Sequence, residues 1–241
     1  MADRLPRLFA ASIPELEHET RLASTEVRHA RVLRLREGAQ VVLFDGAGTE
    51  AQASIVTVSS SELVCRVQQR EQHPKPARRL TLLVGMTKAD KPDLVVRMTT
   101  ELGVSALRFV TCKRSVVRNQ GRNERFDRMR HIALEACAQS GNPYAPEVVE
   151  PTSLLEAAAQ APKNAVRLVF WERANTSLPA LPNDVADVWA IVGPEGGLDG
   201  QEVAELASLG YVSVALGTPI LRAETAAITI AARLLERLQR S

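Results

Sequence analysis

The chain has 241 residues, 45% of them hydrophobic and 24% charged, with a net charge of +2. That composition belongs to a soluble globular chain, large enough for one big domain or two modest ones. It excludes several classes. No apolar run approaches the roughly 20 residues of a membrane span, and residues 1–12 lack the apolar core of a secretory signal. Three cysteines with no CxxC pair do not make a disulfide framework, so a reducing, cytoplasmic setting is expected. The near-neutral total hides a split. Residues 1–130 hold 23 Lys/Arg against 15 Asp/Glu, and residues 131–241 hold 7 against 13. A basic first half points to a polyanion such as nucleic acid; arginine-rich solvated helix faces are the ordinary alternative.

Residues 1–72 read as a small β domain opened by Arg4, Arg7 and Phe9. Glu26–Leu35 predicts one or two helical turns, with Val27, Ala30 and Leu33 or Leu35 inward and Arg28, Arg31 and Arg34 outward. Strands follow at Val41–Phe44, Ala51–Val58 and Leu63–Gln68, with Asp45-Gly46 and Ser59-Ser60-Ser61 as turns. Short strands at this spacing suggest a small barrel. Residues 73–79, His-Pro-Lys-Pro-Ala-Arg-Arg, read as a linker. From residue 80 to 241 strands and helices alternate. Strands are expected at Leu80–Gly85, Leu107–Val110, Glu147–Val149, Val166–Trp171, Val188–Val192 and Tyr211–Leu216. Helices are expected at Pro92–Leu102, from an Asn123 cap to Ser140, from Ser153 to a stop at Pro162, at Gly200–Leu209 and at Glu224–Arg240. Ile228, Leu234, Leu235 and Leu238 mark the apolar face of the last helix. This alternation implies βαβ units and an α/β fold with a mostly parallel sheet.

Several common chemistries are absent from the pattern. There is no GxxxxGK[ST], no GxGxxG after a strand, no HExxH or Cys/His cluster and no GxSxG. The histidines His18, His29, His73 and His131 are scattered, so no metal site is expected. Two loops near the C-terminus stand out instead. Gly193-Pro194-Glu195-Gly196-Gly197 follows one strand, and Leu216 to Thr225 (LGTPILRAET) follows the next. Ligands of open α/β sheets sit where such loops leave the carboxyl ends of strands. Glycine admits close backbone approach and proline stiffens the turn. Val192, Leu216, Ile220 and Leu221 offer apolar walls. The combination suits a flat heterocycle such as adenine held by main-chain groups; tight turns of a sheet are the plain alternative. Arg222 at a helix start makes a place for negative charge, and Glu224 either caps that helix or orients Arg222. Arg108 to Arg130 carries eight basic residues, the pattern of a phosphate-binding surface or of a solvated face.

With those motifs on the page, the chain resembles the SPOUT methyltransferases of the ribosomal RNA small subunit methyltransferase E type. The joint occurrence of GPEGG and LGTPILRAETAA carries the resemblance. So do Lys88, Thr100-Glu101-Leu102-Gly103-Val104, Arg114-Ser115-Val116 and Glu135-Ala136-Cys137-Ala138-Gln139-Ser140-Gly141. Arg97-Met98, Asn142 and Pro92 depart from the family's usual residues.

The resemblance implies an N-terminal PUA-like β-barrel that binds RNA and a SPOUT domain with a deep trefoil knot at its C-terminus. It implies S-adenosyl-L-methionine as methyl donor, a homodimer, and methylation of N3 of a uridine in 16S ribosomal RNA on the small ribosomal subunit. Donor contacts are expected from Phe170, Val192, Gly193, Pro194, Glu195, Gly196, Leu216, Gly217, Ile220, Leu221 and Thr225. RNA contacts are expected from Arg7, Arg28, Arg31, Arg34, Lys88, Lys113, Arg114 and Arg118. Arg222 is the candidate for stabilising the anionic base, and Glu224 or water for taking its proton. Another RNA target, tRNA or a ribose 2′-hydroxyl, is the alternative activity. A non-catalytic RNA-binding protein is the alternative class.

Overall fold

The computed structural model describes residues 5–115, 122–217 and 219–240. The chain forms two compact units. One comprises Met1–Lys75 with Leu134–Ala145, the other Pro76–Ala133 with Pro146–Ser241.

The first unit carries β1 (Arg7–Phe9), β2 (Glu19–Arg21), α1 (Ser24–Val32), β3 (Gln40–Phe44), β4 (Thr49–Val58) and β5 (Leu63–Gln72). They make a five-stranded sheet in the order β1-β3-β4-β5-β2, in which only the β1–β3 pair is parallel. Side chains alternate across a strand, and the sequence obeys this. Ala51, Ala53 and Ile55 on β4 and Leu63, Cys65 and Val67 on β5 are buried together with Leu8, Val27, Ala30 and Val41. The β3–β4 turn is set by Asp45, whose Oδ1 accepts from the amides of Ala47 (2.7 Å) and Thr49 (2.9 Å). Gly48 has φ +100°, and any side chain there would overlap the Tyr144 hydroxyl.

One expectation changes in this unit. Arg7 is not an RNA contact. Its side chain points into the sheet, with the guanidinium 4.9 Å from the Phe44 ring centroid and 2.5 Å from Glu50. A cation buried this way is held by its partner and is closed to phosphate. Burial opposes ionisation of Glu50, but hydrogen bonds from Arg7 and His73 hold its carboxyl below the ordinary value. Of the two leucines offered for the inward position, Leu35 takes it, half-buried against the core, and Leu33 lies exposed past the end of α1.

The second unit carries β6 (Arg79–Gly85), α2 (Lys91–Leu102), β7 (Ala106–Thr111), α3 (Arg122–Ser140), β8 (Glu147–Ser153), α4 (Leu154–Ala158), β9 (Val166–Phe170), β10 (Asp187–Val192), α5 (Gly200–Ser208), β11 (Val212–Val214) and α6 (Ala223–Arg240). From residue 134, α3 counts with the first unit. Six strands form an all-parallel sheet in the order β11-β9-β10-β6-β7-β8. Helices cover both faces, so central strands read as continuous apolar runs; every residue of β6 after Arg79 is buried.

The helix ends follow the capping rules. Pro92 is harmless in the first turn of α2, where its missing N–H has no partner to lose. Gly103 closes that helix at φ +96°. Ser153 with Glu156 and Asp199 with Glu202 form capping boxes at α4 and α5. α3 is described from Arg122, which puts Asn123, expected as its cap, within the helix. α4 ends at Ala158, short of Pro162. α6 buries Ala227, Ile230, Ala231, Leu234 and Leu238, and Ile228 sits at the edge of that face. From β6 the chain builds outward through β7 and β8, then returns to the other side for β9, β10 and β11. The reversal between β6 and β10 is where a parallel sheet leaves a crevice at its carboxyl edge.

Candidate functional site

Beyond the carboxyl ends of β9, β10 and β11 lies a cavity of about 680 Å³, within the usual range for small-molecule sites. The first loop, from Gly193 to Leu198, forms one wall. Gly85 at the end of β6 makes this possible, because a Cβ there would lie 2.4 Å from the Pro194 nitrogen and 2.9 Å from the Gly193 carbonyl carbon. Gly197, at φ +69°, donates to the Pro194 carbonyl at 2.9 Å and closes the turn. Glu195 Oε1 accepts from the Lys88 amide at 3.2 Å and from Lys91 Nζ at 3.0 Å.

The loop continues into α5, and the basic segment after β7 fastens it there. Arg114 donates to the Gly196 carbonyl at 3.3 Å and to Asp199 Oδ2 at 3.2 Å. The Lys113 amide donates to Glu202 Oε1 at 2.7 Å, and its ammonium reaches Gln201 Oε1 at 2.8 Å.

The second wall is the loop from Ala215 to Arg222. Its start is tied by the Ala215 amide, 2.7 Å from the Thr176 carbonyl, and by Arg233, which donates to the Leu216 carbonyl. Gly217 turns it at φ +69°. Arg222 stands at the head of α6, where its carbonyl accepts from the Ala226 amide at 2.8 Å. Its side chain is exposed, lines the cavity, and has no carboxylate within ion-pair distance among the described residues.

Most of the residues singled out from the sequence converge here. Phe170, Val192, Gly193, Pro194, Glu195 and Gly196 line the cavity from one side, and Leu216, Gly217, Ile220 and Leu221 from the other. Thr225 does not line it and is exposed on the first turn of α6. Glu224 is buried beside the cavity, and its Oε2 faces Lys91 Nζ at 3.7 Å. Arg28, Arg31 and Arg34 are exposed on or just beyond α1, and Lys88 is exposed after β6. Lys113 and Arg114 are half-exposed and already engaged with the α5 cap. Arg118 lies outside the described residues.

Among the cavity residues that escaped the sequence reading are Lys91, Trp171 and Glu172. Lys91 left a signal. A lysine in the first turn of a helix opposes the macrodipole, so it calls for a carboxylate partner. Its hydrogen bond to Glu195 raises its pKa, against a partial opposing effect of burial. Burial opposes ionisation of Glu195, but the bonds from Lys91 and two backbone amides hold its carboxyl below the ordinary value. The set of main-chain groups, aliphatic walls, the carboxylates Glu172 and Glu195 and the cation Arg222 suits a ligand with an apolar planar part and charged ends. Among the described residues no cluster of His, Cys, Asp and Glu could hold a metal ion, and no helix is long and apolar enough to cross a membrane.

Comparison with known proteins gives the same picture. Residues 73–235 match the sequence model of the RNA methyltransferase domain family, and residues 22–68 that of the RNA methyltransferase PUA domain. The chain is 31% identical to the ribosomal RNA small subunit methyltransferase E of Rickettsia conorii, over 84% of this chain and 82% of that one. It is 28% identical to the protein of that name from Aquifex aeolicus, over 89% and 93%. Its fold is similar to the crystal structure of a ribosomal RNA small subunit methyltransferase E from Neisseria gonorrhoeae bound to S-adenosyl methionine. The TM-score is 0.90 and the identity 27%, over 97% of this chain and 98% of that one. It is similar also to a Legionella pneumophila methyltransferase in complex with the cofactor SAM, with TM-score 0.89 and 25% identity over 97% of each chain. An RNA methyltransferase domain with an N-terminal PUA domain, matched along most of its length, places this chain in the ribosomal RNA small subunit methyltransferase E family.

Proposed function

We propose that the cavity binds S-adenosyl-L-methionine and that the enzyme transfers its methyl group to N3 of a uridine in 16S ribosomal RNA, on the small ribosomal subunit in the cytoplasm. One observation carries the donor assignment. Both loops and Arg222 rim a single cavity of about 680 Å³, so main-chain groups, aliphatic walls and one guanidinium face the same space. The similar structures with this donor bound support the reading.

The chemistry supplied by the donor is an electrophilic methyl carbon on a sulfonium, with a neutral thioether as leaving group. The protein's own residues must do the rest. The first loop holds its backbone in one shape, and that preorganisation aligns donor and acceptor, worth ~7–11 kcal/mol in well-oriented cases. The uracil N3 must lose its proton before it attacks, and the base then carries negative charge. Arg222, which lines the cavity and forms no ion pair among the described residues, is the group assigned to stabilise that charge. Glu224 is already paired with Lys91, so water is the better candidate to take the proton.

On this reading RNA lies along the exposed Arg28, Arg31 and Arg34 of the first unit, with Lys88, Lys113 and Arg114 near the donor loops. The boundary falls at residues 73–79, the C-terminal segment forms the trefoil knot, and the enzyme works as a homodimer. Nucleoside analysis of 16S ribosomal RNA from cells with and without the protein tests the activity, and the loss of one N3-methyluridine is expected. Arg222→Ala should lower turnover by about a hundredfold with donor affinity within about threefold. Full turnover in that variant removes Arg222 from the mechanism. Arg28→Glu with Arg31→Glu should weaken RNA binding and flatten its salt dependence with donor binding unchanged.

A further inference from the structure

Four charged groups meet around the cavity rim: Lys91 at the start of α2, Glu195 in the first loop, and Arg222 and Glu224 at the head of α6. One ammonium serves both carboxylates, at 3.0 Å from Glu195 and 3.7 Å from Glu224. Its position is unfavourable by itself, since the amino end of a helix repels a cation. The Glu224 side chain is 11% exposed, and its Oε2 is buried and makes no hydrogen bond. A carboxylate in that state needs a facing cation. Arg222 lines the same cavity, yet among the described residues neither glutamate pairs with it.

We propose that Lys91 is a positioning residue of this enzyme. By holding Glu195 and Glu224 on one ammonium, it sets the separation of the two ligand loops and keeps both carboxylates off Arg222. Without it, two like charges face each other across the cavity rim, and either can capture the guanidinium meant for the substrate. The proposal rests on the reading of the cavity as the donor site.

Calorimetric titration of the full-length protein with S-adenosyl-L-methionine tests it. Lys91→Met should bind about tenfold more weakly at about pH 8. Its affinity should recover as pH falls toward about 5, because protonating one carboxylate relieves the repulsion. The unaltered protein should be flat over that range. Lys91→Arg should restore affinity to within about threefold, and Lys91→Met with Glu195→Gln should recover most of the loss. Where Lys91→Met does not fold, Lys91→Gln carries the same expectation. A neutral variant with unaltered affinity and a flat pH profile overturns the proposal, as does a double variant as weak as the single one. A parent protein that shows no heat overturns the donor-site reading instead, so the two failures are distinct.

Discussion

The two loops around the cavity differ in how they are held. The loop from Gly193 to Leu198 is fastened on every side. Gly85 lets it seat against β6, Gly197 closes its turn, Arg114 grips Gly196, and the Lys88 amide and Lys91 grip Glu195. Among the described residues of 215–222 the ties lie at the ends, through Ala215, Leu216 and Arg222, and Ile220 is 90% exposed. The difference teaches where rigidity is needed. Main-chain donors and acceptors must hold their geometry before a ligand arrives, because they cannot be reoriented cheaply afterwards. An apolar cover can be ordered by the ligand it buries.

The strongest way to break this contrast is Gly85→Ala. The added Cβ meets backbone of the fastened loop, which has nowhere to move. Donor affinity should fall by about a hundredfold or more, and overpacking of ~1–3 kcal/mol should lower the melting temperature by several degrees; calorimetry and thermal unfolding read both. Next is Arg114→Ala, which releases the Gly196 carbonyl and the Asp199 side chain. About a tenfold loss of donor affinity is expected. Arg114→Lys should recover only part of it, because an ammonium cannot reproduce the two-pronged guanidinium. If RNA binding alone changes, the segment is a phosphate contact and not a strut.

Ile220→Ser probes the looser loop. It should weaken donor binding by about fivefold through lost apolar burial and leave the melting temperature unchanged, since the side chain is exposed before ligand binds. The smallest effect sharpens the contrast through pH. Glu195 has its carboxyl below the ordinary 4.5, so its bonds are complete above that value and are lost only as pH falls through the depressed one. Donor affinity should therefore stay flat from neutrality to about pH 4.5 and decline below it, whereas an unpaired carboxylate would begin to titrate earlier.

Much of this was legible in the residues. The alternation of β4 and β5, the apolar run of β6, Gly103 after α2 and the capping pairs Ser153/Glu156 and Asp199/Glu202 each follow from local rules. The same holds for the two loops, since glycine and proline at strand ends have a local meaning. What local rules left open has one cause. Arg7, Arg114 and Arg31 are the same residue type, and nothing local says that the first is buried against a half-buried Glu50, the second faces a loop some 80 positions onward, and the third faces solvent.

The sequence by itself determined the periodicities, the turns and the motif pair, because these depend on neighbours within a few positions. Only the tertiary structure decided which charges are exposed and which are committed to partners. It also brought Lys91 beside Glu195 and Glu224 and made Gly85 indispensable to a loop more than a hundred residues away. Charge pairing and steric contact act through space at a few ångströms, and the order of strands in the parallel sheet sets which distant residues come that close.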